Sequence, residues 1–125
     1  MLQLIASRVR TPDGTILQSF HRHDYKTHVD AVTGETYMLD GGIDYQRSIL
    51  NKVPATDMSV YLDDPHDVRR EAFCWGTRGK EGNQPVEFKP LKDLDSEHIT
   101  AILATQDHVP AWMQELFMFE LDYRE

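Results

Sequence analysis

A single cysteine, Cys74, rules out an internal disulfide framework and suits a reducing compartment. No run approaches the roughly 20 apolar residues of a membrane span. The start MLQLIASRVR lacks the apolar core and small-residue cleavage site of a secretory leader. Internal repeats, low-complexity tracts and inter-domain linkers are all missing, and no GxxxxGK[ST] phosphate loop occurs. Ser7 and Ser19 have no nucleophile context, nothing sets a base beside Cys74, and no catalytic residue is assigned. The expectation is therefore one cytoplasmic domain over residues 1–125, without membrane association.

What is present is a globular composition, 40% hydrophobic and 27% charged, with a formal charge of −8. The acid is unevenly placed. Residues 1–50 hold five Lys/Arg and six Asp/Glu, whereas residues 51–125 hold eight and fifteen. Such a surface repels phosphate backbones, so general nucleic-acid binding is disfavoured and a basic partner would be suited. Solubility alone also accounts for the excess acid.

The firmest local signal is Thr11-Pro12-Asp13-Gly14-Thr15. Pro12 presets the second turn position and Gly14 admits positive φ, which predicts a type I turn closed by a glycine bulge. With strands on either side, the register sets Val9 against Leu17, Ser7 against Ser19 and Ile5 against His21. Residues 16–30 are long for one strand and predict a bend near the histidines. Further strands are expected at 36–39, 43–47 and 58–62, which makes residues 2–62 an antiparallel meander. Asp64-Pro65 opens a helix whose Val68, Ala72 and Trp75 share a face, and Gly76 would end it. A loop over 76–85, a strand at 86–89, a helix capped at Asp95 or Ser96 and a last helix starting at Pro110 complete a helical part over 64–125. The fold class is therefore α+β: an antiparallel sheet of about five strands with two to three packed helices.

Three groups of residues carry chemistry. His21, His23, Asp24 and His28 are ligand types for zinc or another divalent metal, and two histidines two apart on a strand share a face. Period two puts Asp24 and His28 on the other face, so convergence requires a bend; packed, hydrogen-bonded histidines are the plainer alternative. Arg8, Arg10, Arg22 and Lys26 beside them add positive charge that favours an anion over a cation, and Tyr25 joins the arginines and histidines in the candidate ligand surface. The second group, Trp75, Arg78 and Lys80, joins an aromatic plane to two cations in a glycine-rich loop, a clamp for a base and its phosphate; a helix cap followed by a solvent loop explains it equally simply. The third is the last helix, where Trp112, Met113, Leu116, Phe117 and Phe119 exceed one apolar stripe. Either this domain's own second layer or a partner covers them, and a homo-oligomer through this helix is expected.

The order of IASRVRTPDGTILQSFHRHDYKTH, TYMLDGGIDYQR and CWGTRGKEGNQPVEFKPLKDLDSEHITAIL resembles a family of small, functionally uncharacterised proteins of tailed bacteriophages. That resemblance spans nearly the whole chain, implies an accessory protein of the infected host's cytoplasm, and assigns no catalytic residue. The expectation is a binding protein for host takeover or counter-defence, engaging a host protein or sequestering a nucleotide-like anion, without a cofactor. The alternatives are a metal-dependent phosphodiester hydrolase built on the HxHD cluster and an oligomeric assembly protein.

Overall fold

The computed structural model describes residues 3–79 and 81–125. Lys80, expected among the ligand-binding cations, and Leu2, expected in the first strand, lie outside the described residues. The fold is α+β, with three α-helices and antiparallel strands. The chain divides into two compact units, Met1–Arg69 and Arg70–Glu125.

In the first unit, β1 (Leu4–Arg10) and β2 (Ile16–Ser19) form the predicted hairpin. The Gly14 amide donates to the Thr11 carbonyl and the Thr11 amide to the Thr15 carbonyl, both at 2.9 Å, with Gly14 at φ +93°. Val9 pairs with Leu17 and Ser7 with Ser19, as the register requires. The pairing stops there. Ile5 does not face His21, because the chain leaves β2 at Ser19 and turns through residues 20–25.

After that turn, β3 (Lys26–Val29), β4 (Thr36–Gly41) and β5 (Gln46–Ser48) make a separate antiparallel sheet. The expected five-strand meander is thus broken into a hairpin and a three-strand sheet. The free edge of β1 is taken by β6 (Thr56–Asp57) and β7 (Val60–Tyr61), where one strand was expected over 58–62. Leu17, Tyr37 and Leu39 form a buried cluster with Val9 and Ala55 against it.

The helix α1 (His66–Ala72) ends sooner than its apolar spacing suggests. Trp75 and Gly76 belong instead to β8 (Cys74–Thr77), which pairs with β9 (Glu87–Pro90). Local preference explains the difference: Cys74-Trp75-Gly76-Thr77 holds no strong helix former, and its pairing satisfies backbone groups that a longer helix would have to cap. Gly76 ends no helix. A Cβ there would stand 3.0 Å from the Phe88 ring, so its small size serves packing. A 3-10 turn at Leu91–Asp93 leads to α2 (Ser96–Thr105) and α3 (Ala111–Tyr123).

The second unit has its own core, which includes Phe73, Leu91, Leu94, Ile99, Leu116 and Phe117. Phe117 meets the rings of Phe73 and Trp75 edge to face at 5.9 and 5.6 Å. This takes three residues out of the expected interface. Met113, Leu116 and Phe117 are buried within a single chain, and Trp112 stands edge-on to Phe73 at 6.3 Å, whereas Phe119 is half exposed. Beside them Glu120, fully buried, receives Arg70 through two hydrogen bonds of 2.9 and 2.8 Å and Arg124 at 2.7 Å. That bond with Glu120 holds the Arg70 guanidinium above its ordinary range.

Candidate functional site: a cation–aromatic patch

The turn at residues 20–25 is built by its own backbone. The Asp24 amide donates to the His21 carbonyl at 3.1 Å, and His23 takes φ +72°, a conformation that histidine tolerates better than most residues. The Asp24 carboxylate accepts the Phe20 amide at 2.9 Å and pairs with Lys26 at 3.2 Å. A second turn, residues 41–45, lies against the first. A Cβ on Gly42 would come within 2.5 Å of the Phe20 carbonyl oxygen, and one on Gly41 within 2.1 Å of the Tyr45 carbonyl oxygen. Only glycine permits that approach. The buried hydroxyls of Ser7 and Ser19 stitch the turns together. Ser7 donates to the Gly42 carbonyl at 2.8 Å, while Ser19 donates to the Asp24 carbonyl at 2.6 Å and accepts the Gly41 amide at 2.9 Å.

The two turns bring out two cation–aromatic pairs. The Arg22 guanidinium lies 4.0 Å from the centre of the Tyr45 ring, and that of Arg47 5.7 Å from the Tyr25 ring. Arg47 also reaches the Tyr25 hydroxyl at 3.5 Å, and His23 Nδ1 meets the same hydroxyl at 3.2 Å. Tyr25 is 51% exposed and the Arg47 side chain 54%. Below them, buried Asp40 accepts the His23 amide at 2.6 Å and holds that strained residue in place.

The histidine cluster does not converge. His21 Nδ1 meets the Arg22 carbonyl at 2.9 Å, His23 turns to Tyr25, Asp24 serves the backbone of its own turn, and His28 points to Asp13 at 2.8 Å. The first three lie in the turn at 20–25, whereas β3 carries the fourth. Among the described residues, the set with metal-ligand spacing is Asp13, His28 and Asp30, whose ligand atoms lie within 4.8 Å of one another.

Its oxygens are already engaged. Asp13 accepts Thr11, Thr15, His28 and the Ala31 amide, while Asp30 accepts the amides of Asp13, Val32 and Thr33. The Ala31 amide, then Thr15 and His28, holds the Asp13 carboxyl far below the usual carboxylate range. Burial alone would raise Asp30, but the amides of Asp13 and Thr33 outweigh it and the carboxyl lies below its ordinary value. A cation would have to displace these donors, so the trio acts as a lock between two turns.

Of the other expected ligand residues, Arg8 donates from Nε to the Met58 carbonyl at 3.2 Å. Arg10 pairs with Ile16, three steps along the ladder from Ser7 and Ser19 and so roughly 10 Å from the turn that carries Arg22. Neither joins the patch. Trp75 and Arg78 line a groove of about 1190 Å³ in the second unit with Thr77, Val86, Glu97 and His98. The groove is walled by a β-hairpin and α2, and the helix expected to run to Trp75 and be ended by Gly76 is corrected to strand β8.

In sequence, residues 40–45 could present two carboxylates but read more simply as a turn rich in glycine and aspartate, so sequence reasoning sets aside Asp40 and Tyr45 and misses Arg47 as a site residue. The signal available was the repeated arrangement of an acid, an aromatic and a cation in HRHDYK and DYQR. No protein-family model, curated protein or solved structure matches the chain. Among the described residues, no helix is long and apolar enough to cross a membrane.

Proposed function

We propose that this chain is a phage accessory binding protein of the host cytoplasm that captures an anionic, nucleotide-like ligand on Arg22, His23, Tyr25, Tyr45 and Arg47, in host takeover or counter-defence. The observation that carries this is the pair of exposed guanidiniums set over tyrosine rings in a chain of net charge −8. Arg22, held on the Tyr45 face, is oriented before its ligand arrives and keeps its N–H edge for a phosphate or carboxylate. The tyrosines add planar surface for a base. The phage origin rests on the resemblance of the ordered motifs, an association and not a derivation from geometry.

Calorimetry of the intact chain against pyrophosphate and a set of nucleotides tests this directly. Binding is expected, and Arg22→Ala and Arg47→Ala are each expected to weaken it by about tenfold or more. If neither pyrophosphate nor any nucleotide binds, ligand capture at this patch is wrong. Engagement of a host protein is a second reading, favoured by the open groove at Trp75 and Arg78, whose lining mixes apolar and charged side chains.

A further inference from the structure

Beneath the Tyr25–Arg47 pair lies an acceptor that no donor among the described residues satisfies. Asp40 is 0% exposed, and its Oδ2 has no hydrogen-bond partner among the described residues. The Arg47 Nη2 stands 4.0 Å from that oxygen, beyond hydrogen-bond reach, and 3.5 Å from the Tyr25 hydroxyl. Oδ2 therefore faces the underside of the exposed patch, with the Arg47 tip over it. The same unit fills its other buried carboxylate: Asp30 has amide donors on both oxygens. An orphan acceptor at a surface patch marks the place of a missing donor.

Resting on the anion-binding reading of this patch, we propose that Asp40 Oδ2 reads the base of the ligand, and that the ligand is a guanine nucleotide. Arg47 sits on β5, a short edge strand whose three residues are all exposed, so its side chain can move to a phosphate without disturbing the core. That movement uncovers Oδ2. An ionised carboxylate offers acceptors alone, and here one oxygen is already committed to His23. The best match for the other is an edge of adjacent donors. Guanine presents N1–H and N2–H₂ side by side. The adenine amino group is flanked by the N1 and N7 acceptors, that of cytosine by N3, and the uracil N3–H by two carbonyls, each of which sets a lone pair against the buried anion. Tyr25 supplies a stacking face for the purine.

Calorimetry of the intact chain with GDP, IDP, ADP and pyrophosphate decides the matter. GDP is expected to bind about tenfold or more tighter than ADP, with IDP, which keeps N1–H but lacks the amino group, in between. Asp40→Asn is expected to level GDP and ADP, since an amide offers a donor as well as an acceptor. Should that variant fail to fold, the series on the native chain still decides. Equal affinity for GDP and ADP overturns the guanine assignment and leaves anion capture standing. Absence of binding by all four overturns anion capture itself.

Discussion

At the scale of single residues, the site depends on side chains whose work is done on backbone. Ser7 and Ser19, Asp24, Asp30 and Asp40 each hold amides or carbonyls of the turns. Asp13 does so most completely. Its carboxyl is held below the usual range in the folded chain, so its contribution to stability is present in full above the ordinary carboxylate value and is lost as pH falls toward the folded one. Melting temperature is expected to drop steadily below about pH 4, and Asp13→Asn is expected to lower it at neutral pH and flatten that dependence. Gly42 makes a steric claim. Gly42→Ala drives a methyl into the Phe20 carbonyl and is expected to cost about 1–3 kcal/mol, and to weaken pyrophosphate binding because Tyr45 no longer backs Arg22. A stability curve in urea beside the calorimetry checks both effects.

At the scale of elements, the glycine-bulge hairpin was legible because Pro12 fixes its own φ and Gly14 admits the positive φ of the bulge, whatever the rest of the chain does. The β8–β9 hairpin was not. Val68, Ala72 and Trp75 carry a helical spacing, yet the choice between a longer helix and a strand was decided by pairing with residues 87–90. In α3 the excess of apolar residues pointed outward to a partner, but its buried side includes an acid held by two arginines. Glu120→Gln, which leaves the charges of Arg70 and Arg124 without their counter-ion, is expected to cost about 3–5 kcal/mol in denaturant titrations. Leu116→Ala or Phe117→Ala is expected to lower stability by about 2–5 kcal/mol and to leave the sedimentation coefficient unchanged; a shift from dimer to monomer would restore the interface.

At the scale of the whole molecule, charge is the property that the composition states most directly. The patch gathers two arginines within an acidic chain, which favours a compact anion recognised at close range over an extended polyanion. Duplex DNA is therefore expected to give no mobility shift at physiological salt, under conditions where a nucleotide binds. Each unit has its own core and its own concave or cationic feature: the patch in residues 1–69 and the groove in residues 70–125.

The sequence by itself determined the α+β class, the turn at Thr11–Thr15 and the pairing of Ser7 with Ser19, since these follow from local backbone preference and from a period of two. Tertiary structure alone decided which polar residues meet. It sent His28 to Asp13, sent His23 to Asp40 and Tyr25, and set Arg22 on Tyr45. The physical reason is the close contact of two turns some twenty residues apart, which rests on glycine at 41 and 42 and on two buried hydroxyls. No local preference encodes a contact of that kind.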